Sequence, residues 1–261
     1  MSNKSVHVTC RKGQPYFHLK LAGRVVRLYP RYPFLREYCQ DYLTEEPQDF
    51  SVEISRADID YERRKSAGEA ALEGIPVRQF SDAYLETLAA CRAIAVRMLD
   101  YDTLLFHGSA LSLDGVGYLF TAKSGTGKST HARLWRERFG ERVTMVNDDK
   151  PFLRITEKGI LVCGSPWDGK HRLSNNIEVP LKAICILNRD EGNHIESARA
   201  GMVYPALLQQ AYRPSDPMGM AKTLELVDRL AAGTELYILG CNMSPDAPLA
   251  VYEGMNGVKT I

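Results

Sequence analysis

The sequence predicts an α/β fold in which a phosphate-binding loop joins a central strand to a helix. Three observations carry that prediction. The run Ala122-Lys-Ser-Gly-Thr-Gly-Lys128-Ser129 sets glycines, a lysine and a hydroxyl at the spacing of a backbone cradle for phosphate. An apolar, strand-like stretch at 117–122 precedes it, and a helix-like stretch at 130–139 follows. A second short apolar strand at 143–147 comes next. Strand, loop, helix and strand then make one unit able to return the chain beside the first strand.

Residues 1–80 read as a β-rich accessory region and 81–261 as the domain that carries the loop. In the first region, residues 6–10 and 16–21 alternate at strand period, and Gly23 punctuates before a strand at 25–29. The Tyr-Pro-Arg-Tyr-Pro run at 29–33 is a turn or extended segment, since each proline pushes its predecessor off helical backbone. Residues 45–65 are dense in charge and read as a loop with one strand at 50–54. In the second region, Ser81 or Asp82 can cap a helix running to about residue 100. Leu85, Leu88, Ala89, Ile94, Ala95 and Met98 form its buried stripe. The stretches 103–106 and 107–114 follow, with a hairpin turn at 115–117 leading into the strand before the loop. Beyond 147 the pattern predicts a hairpin from 151–155 and 159–163 and a core strand at 181–187. Helices at about 203–212 and 217–232, a strand at 235–239 and a last helix near Ser244-Pro245 complete it.

Composition narrows the function. At 261 residues, 44% hydrophobic and 25% charged, the chain suffices for one large domain, or one domain with a small accessory unit. Lys and Arg number 33 against 32 Asp and Glu, a net charge of +1, which predicts no broad nucleic-acid-binding face. The six cysteines lack metal-ligand spacing and read as small buried hydrophobes of a reducing compartment. The N-terminal residues lack the apolar core of a signal peptide. No uncharged apolar run approaches the ~20 residues of a membrane span. The expectation is a cytoplasmic protein with no membrane or nucleic-acid partner, and a homo-oligomeric state stays open.

Gly125 and Gly127 let the backbone turn tightly enough to aim its amides at phosphate oxygens. The helix starting near Lys128 adds the positive end of its dipole. On this reading Ser124, Gly125, Thr126, Gly127, Lys128, Ser129 and Thr130 hold a nucleotide. Lys128 reaches the β- and γ-phosphates, and the Ser129 hydroxyl ligates Mg²⁺. Ala122 stands where a first glycine is usual, so its turn must form without one. Asp148-Asp149 ends the strand after the helix. Adjacent carboxylates at a strand end point in different directions. One of the two can ligate Mg²⁺, directly or through water, and the other can take a proton from a substrate hydroxyl. The turn-rich run 164–172 presents Trp167, Asp168, Lys170 and Arg172. Lys170 or Arg172 could neutralise charge on a transferred phosphoryl group. Alternatively, Trp167 only anchors the loop.

His107-Gly108, the phosphate loop and Val146-Asn-Asp-Asp149 together resemble the catalytic domain of HPr kinase/phosphorylase. The stretch 120–130 is also similar to phosphoenolpyruvate carboxykinase. The matched part is about residues 103–150, and the chain has Thr130-His131 where the kinase family carries Glu after its loop serine. The resemblance implies a P-loop kinase core of that type, ATP and Mg²⁺ as cofactors, and phosphoryl transfer to a hydroxyl. The acceptor would be a serine or threonine of a protein or peptide, or a small hydroxylated metabolite. Carried over residue by residue, His107 assists Asp148 as base and Asp149 is the metal-side partner, with the roles of 148 and 149 exchangeable. Two alternatives stand beside this: a nucleotide-binding regulatory module without transfer, and carboxykinase-like transfer to an enolate.

Overall fold

The computed structural model describes residues 15–123 and 125–257. The strand expected at 6–10 and the loop residue Ser124 lie outside the described residues. The chain is a mixed α/β fold in two units, divided between Ile94 and Ala95.

In the first unit, β1 (Phe17–Leu21) and β2 (Arg24–Tyr29) pair through a tight turn at Ala22-Gly23, where both φ angles are positive. A short helix α1 (Phe34–Tyr38) follows, then β3 (Leu43–Thr44) and β4 (Phe50–Glu53). The sheet order is β3-β1-β2-β4. Leu19, Leu21, Val26 and Leu28 are buried in it, as strand alternation requires. Residues 56–65, expected as loop, are instead the start of an 18-residue helix, α2 (Arg56–Glu73). Its sequence hides it because few of its residues are buried. It is held by a capping box between Ser55 and Asp58, by the pairs Arg56–Asp60 and Lys65–Glu69, and by a left-handed Gly74 at its end. Helix α3 (Asp82–Met98) starts where expected, with Ser81 Oγ accepting from the Tyr84 amide at 3.2 Å. Its buried Glu86 accepts the amides of Arg31 and Tyr32 at 2.5 and 3.0 Å, so its first turns belong to the N-terminal unit.

The second unit is built on a nine-stranded sheet. Strand β5 (Thr103–Leu105) is followed by the hairpin β6 (Ser109–Leu113) and β7 (Val116–Thr121), whose turn is Asp114-Gly115 with both φ positive. Helix α4 (Lys128–Phe139) leads to β8 (Val143–Asn147) and the hairpin β9 (Phe152–Thr156) and β10 (Gly159–Cys163). Next come β11 (Glu178–Arg189), β12 (His194–Ser197), α5 (Ala200–Gln210), α6 (Pro217–Gly233), β13 (Glu235–Cys241) and α7 (Ala247–Asn256). Asp246, not Ser244, is the residue preceding α7.

Strands β7, β11 and β13 run parallel at the centre. Side chains alternate between two cores. Leu119 and Ile184 join Val203, Leu207 and Leu226 of α5 and α6 in one cluster. Tyr118, Phe120 and Cys185 join Trp135 of α4 and Val251 of α7 in the other. A strand covered by helices on both faces is the usual environment of parallel pairing. The strand after the loop helix does not return beside β7. The β6–β7 hairpin already fills that edge, so β8 lands one strand further out, antiparallel to β6. Among the described residues no helix is long and apolar enough to cross a membrane.

Candidate functional site

Strand β7 ends at Thr121, whose hydroxyl donates to the His107 carbonyl at 2.9 Å. Ala122 keeps ordinary negative-φ backbone, so the loop leaves the strand without a glycine. Gly125 and Gly127 take φ +75° and +122°, and a Cβ at either would meet nothing within 4 Å. The backbone conformation, not crowding, calls for glycine there. Lys128 opens α4 and its ammonium arches back to the Ala122 carbonyl at 3.1 Å. Burial lowers the Lys128 pKa, with Asp149 opposing that shift. Arg189, at the end of β11, donates to the carbonyls of Gly125 and Thr126 and ties the loop to the sheet.

Asn147, at the end of β8, decides where the acid pair goes. Its buried side chain accepts the amides of Asp149 and Lys150 at 2.9 and 2.6 Å and donates to the Ser165 carbonyl at 2.9 Å. The side chain thus bends the chain sharply at the strand end. The two carboxylates diverge. Asp148 accepts the Gly169 amide at 2.6 Å. A Cβ on Gly169 would lie 2.6 Å from that carboxylate, so only glycine permits the approach. Burial raises the Asp148 pKa, against the pull of the Gly169 amide. Asp149 faces His107 Nε2 at 3.3 Å and the Lys150 ammonium. Burial would raise its pKa too, but the His107 hydrogen bond and Lys150 outweigh it and hold the carboxyl well below the usual range. The other face of the His107 ring meets Gln210 Oε1 at 2.9 Å, and the backbones of His107 and Gly108 bond to Gln210 and Asp149.

His107 therefore meets Asp149, where the resemblance had paired it with Asp148. Trp167 is buried, so it anchors its loop and does not face a ligand. Arg172 pairs with Asp168 at 3.1 Å and donates to the Pro166 carbonyl at 3.2 Å. Lys170 instead lines a cleft of about 450 Å³ with Ser129, Thr130 and Asp148. A second cleft, about 390 Å³, includes Thr126, Gly127, His131, Arg189 and Met243. Asn147, Gly169, Arg189 and Gln210 complete the arrangement without having been singled out from the sequence. An asparagine before two acids at a strand end is an Asx-turn signal that points to Asn147. The other three are brought in by distant strands and helices and carry no local signal.

No group of three or more His, Cys, Asp or Glu side chains among the described residues could hold a metal ion. A hard cation that shares its shell with water and phosphate needs only one or two protein oxygens. Ser129 and an acid held ionised, Asp149, are oxygen donors of that kind. No protein-family model matches the chain and no curated protein matches it. Among solved structures it is similar to "Structure of the Hpr(Ser) kinase/phosphatase from Coxiella burnetii", at 14% identity over 58% of this chain and 92% of that chain, with a TM-score of 0.34. A likeness at that score carries no argument, and the functional reading rests on the geometry.

Proposed function

We propose that this chain is an ATP- and Mg²⁺-dependent phosphotransferase that moves a phosphoryl group to a hydroxyl. The observation that carries the reading is the convergence at one sheet end of the glycine-turned loop, Lys128 and the divergent acids Asp148 and Asp149. Residues 125–127 and the first turn of α4, Lys128 to Thr130, offer amides without helical partners to the nucleotide phosphates. Lys128 leaves the Ala122 carbonyl for the β- and γ-phosphates. Ser129 and Asp149 would hold the Mg²⁺, which would supply charge neutralisation at the transferring group.

Asp148 is the base. It lines the cleft next to Ser129, and its raised pKa makes it a better proton acceptor than Asp149, whose charge is already committed to His107 and Lys150. His107 is then a positioning residue that orients Asp149. Lys170 neutralises charge from the cleft side, while Arg172 holds the loop that carries Gly169. Transfer proceeds in line, by positioning and charge neutralisation. A regulatory module without transfer would not need a buried carboxylate opening onto an acceptor-sized cleft.

The test is calorimetry of Mg-ATP binding by the parent chain and by Lys128→Ala. We expect tight binding by the parent and its loss in the variant, with an unchanged melting temperature, since Lys128 contributes charge and little packing. Equal affinity in both would reject the reading.

A further inference from the structure

The cleft beside Asp148 has an uneven charge. It runs along one flank of α4, where Ser129, Ala132, Arg133 and Arg136 recur at helical spacing and so share a face. Lys170 and His171 close it from the Gly169 loop. Asp148 is the single carboxylate among its described lining residues. Arg133 pairs with Glu137 at an exposed site, an exchangeable contact worth little. The side chains of Arg136 and Lys170 have no hydrogen bond or ion pair with any described residue. Arg92 of α3, by contrast, is closed by Asp58 and Glu62.

We infer that the hydroxyl acceptor is a small anionic alcohol, its carboxylate or phosphate held by Arg136, Lys170 and Arg133 while its hydroxyl meets Asp148. The inference rests on the phosphotransferase reading and adds the substrate class to it. About 450 Å³ suits a small molecule. Arg136 and Arg133 lie about one turn apart, which lets two guanidinium groups bracket one anion. With the anion so held, the hydroxyl proton passes to the Asp148 carboxylate as the oxygen bonds to the γ-phosphorus. The β–γ bridging bond breaks, and its electron pair leaves with ADP.

The full chain is assayed with Mg-ATP and three alcohols of one skeleton: glycerol, glycerate and glycerol 3-phosphate. ADP and phosphorylated acceptor are counted together. We expect kcat/KM for at least one anion to exceed that for glycerol by about tenfold or more, the range of a charge-assisted hydrogen bond. The two anionic arms show whether carboxylate or phosphate is preferred. Arg136→Gln should raise KM for that anion by about tenfold and leave the Mg-ATP dissociation constant unchanged. Equal use of glycerol, an unmoved KM in the variant, or transfer to none of the three would overturn the inference. Weaker Mg-ATP binding by Arg136→Gln would also overturn it, by assigning the cations to the nucleotide. Absence of Mg-ATP binding by the parent is a different result: it removes the phosphotransferase reading itself, and the inference with it.

Discussion

In the N-terminal unit Arg56 and Arg63 both close on Asp82, and Arg92 spans Asp58 and Glu62 at 2.9 and 2.6 Å. In the C-terminal unit Arg136 and Lys170 face a cleft whose described lining offers one carboxylate, Asp148. The same residue types are used in opposite ways. Along α2, where few side chains are buried, paired charges fasten it to α3. Beside α4 the apolar face already buries Trp135, Leu134 and Ala132, so its outer cations are released from structural duty. The acids repeat the contrast within two residues. Asp149 is tied to His107 and Lys150, whereas Asp148 is held by one amide and opens onto the cleft. The Arg92 pairs fasten the fold, whereas Arg136 and Lys170 are left for the anion inferred above.

The largest effect that would break this contrast concerns Asp148. Asp148→Asn keeps the shape and cannot accept a proton, so turnover should fall by about 10²–10⁴-fold while Mg-ATP affinity stays level. Normal turnover in this variant would remove Asp148 from the proton transfer. Gly169→Ala comes next. Its methyl would sit where the Asp148 carboxylate now lies, and a misplacement of about 1 Å costs on the order of 10²-fold in rate. Its melting temperature, measured beside the rate, should hardly move.

The paired side is sharpened by stability. Arg92→Met leaves the buried Glu62 without its partner, and should cost about 1.5–3 kcal/mol in urea unfolding with turnover per folded molecule unchanged. A loss of turnover there would erase the division of labour between the units. The smallest effect separates the two acids by pH. Asp149 has a folded pKa below its unfolded value, so its contribution is present above the ordinary carboxylate range and fades as pH falls toward the folded value. Asp148 has a raised folded pKa, so its contribution is full at low pH and is lost as pH rises through that value. Asp149→Asn should therefore destabilise by about 1–3 kcal/mol at pH 7 and by less on acidification. Asp148→Asn should stabilise at pH 7 and lose that gain in acid. Melting curves at pH 3.5, 5 and 7 check both, and the same sign for the two variants would show that the acids are equivalent.

The sequence by itself determined the elements whose cause is local. The glycine turns at 125 and 127 and the start of α4 at Lys128 were legible because they act through their own backbone and neighbours. Strands β7 to β11 and β13 and helices α3, α5 and α6 were legible from periodicity, since an apolar stripe announces its own burial, whereas the mostly exposed β12 was not. Helix α2 was not, because capping and ion pairs hold it and its charges read equally well as loop. Tertiary structure alone decided the rest. The place of β8 depended on which edge the β6–β7 hairpin had left open, a competition no single segment encodes. The partner of His107 depended on the Asn147 turn and on Gln210, more than a hundred positions away in the chain. The environment of Asp148 depended on Gly169 arriving from another loop without a Cβ. Local conformation is set by side chains within a turn or two, whereas pairing, burial and the pKa values that follow from them exist only once distant segments have met.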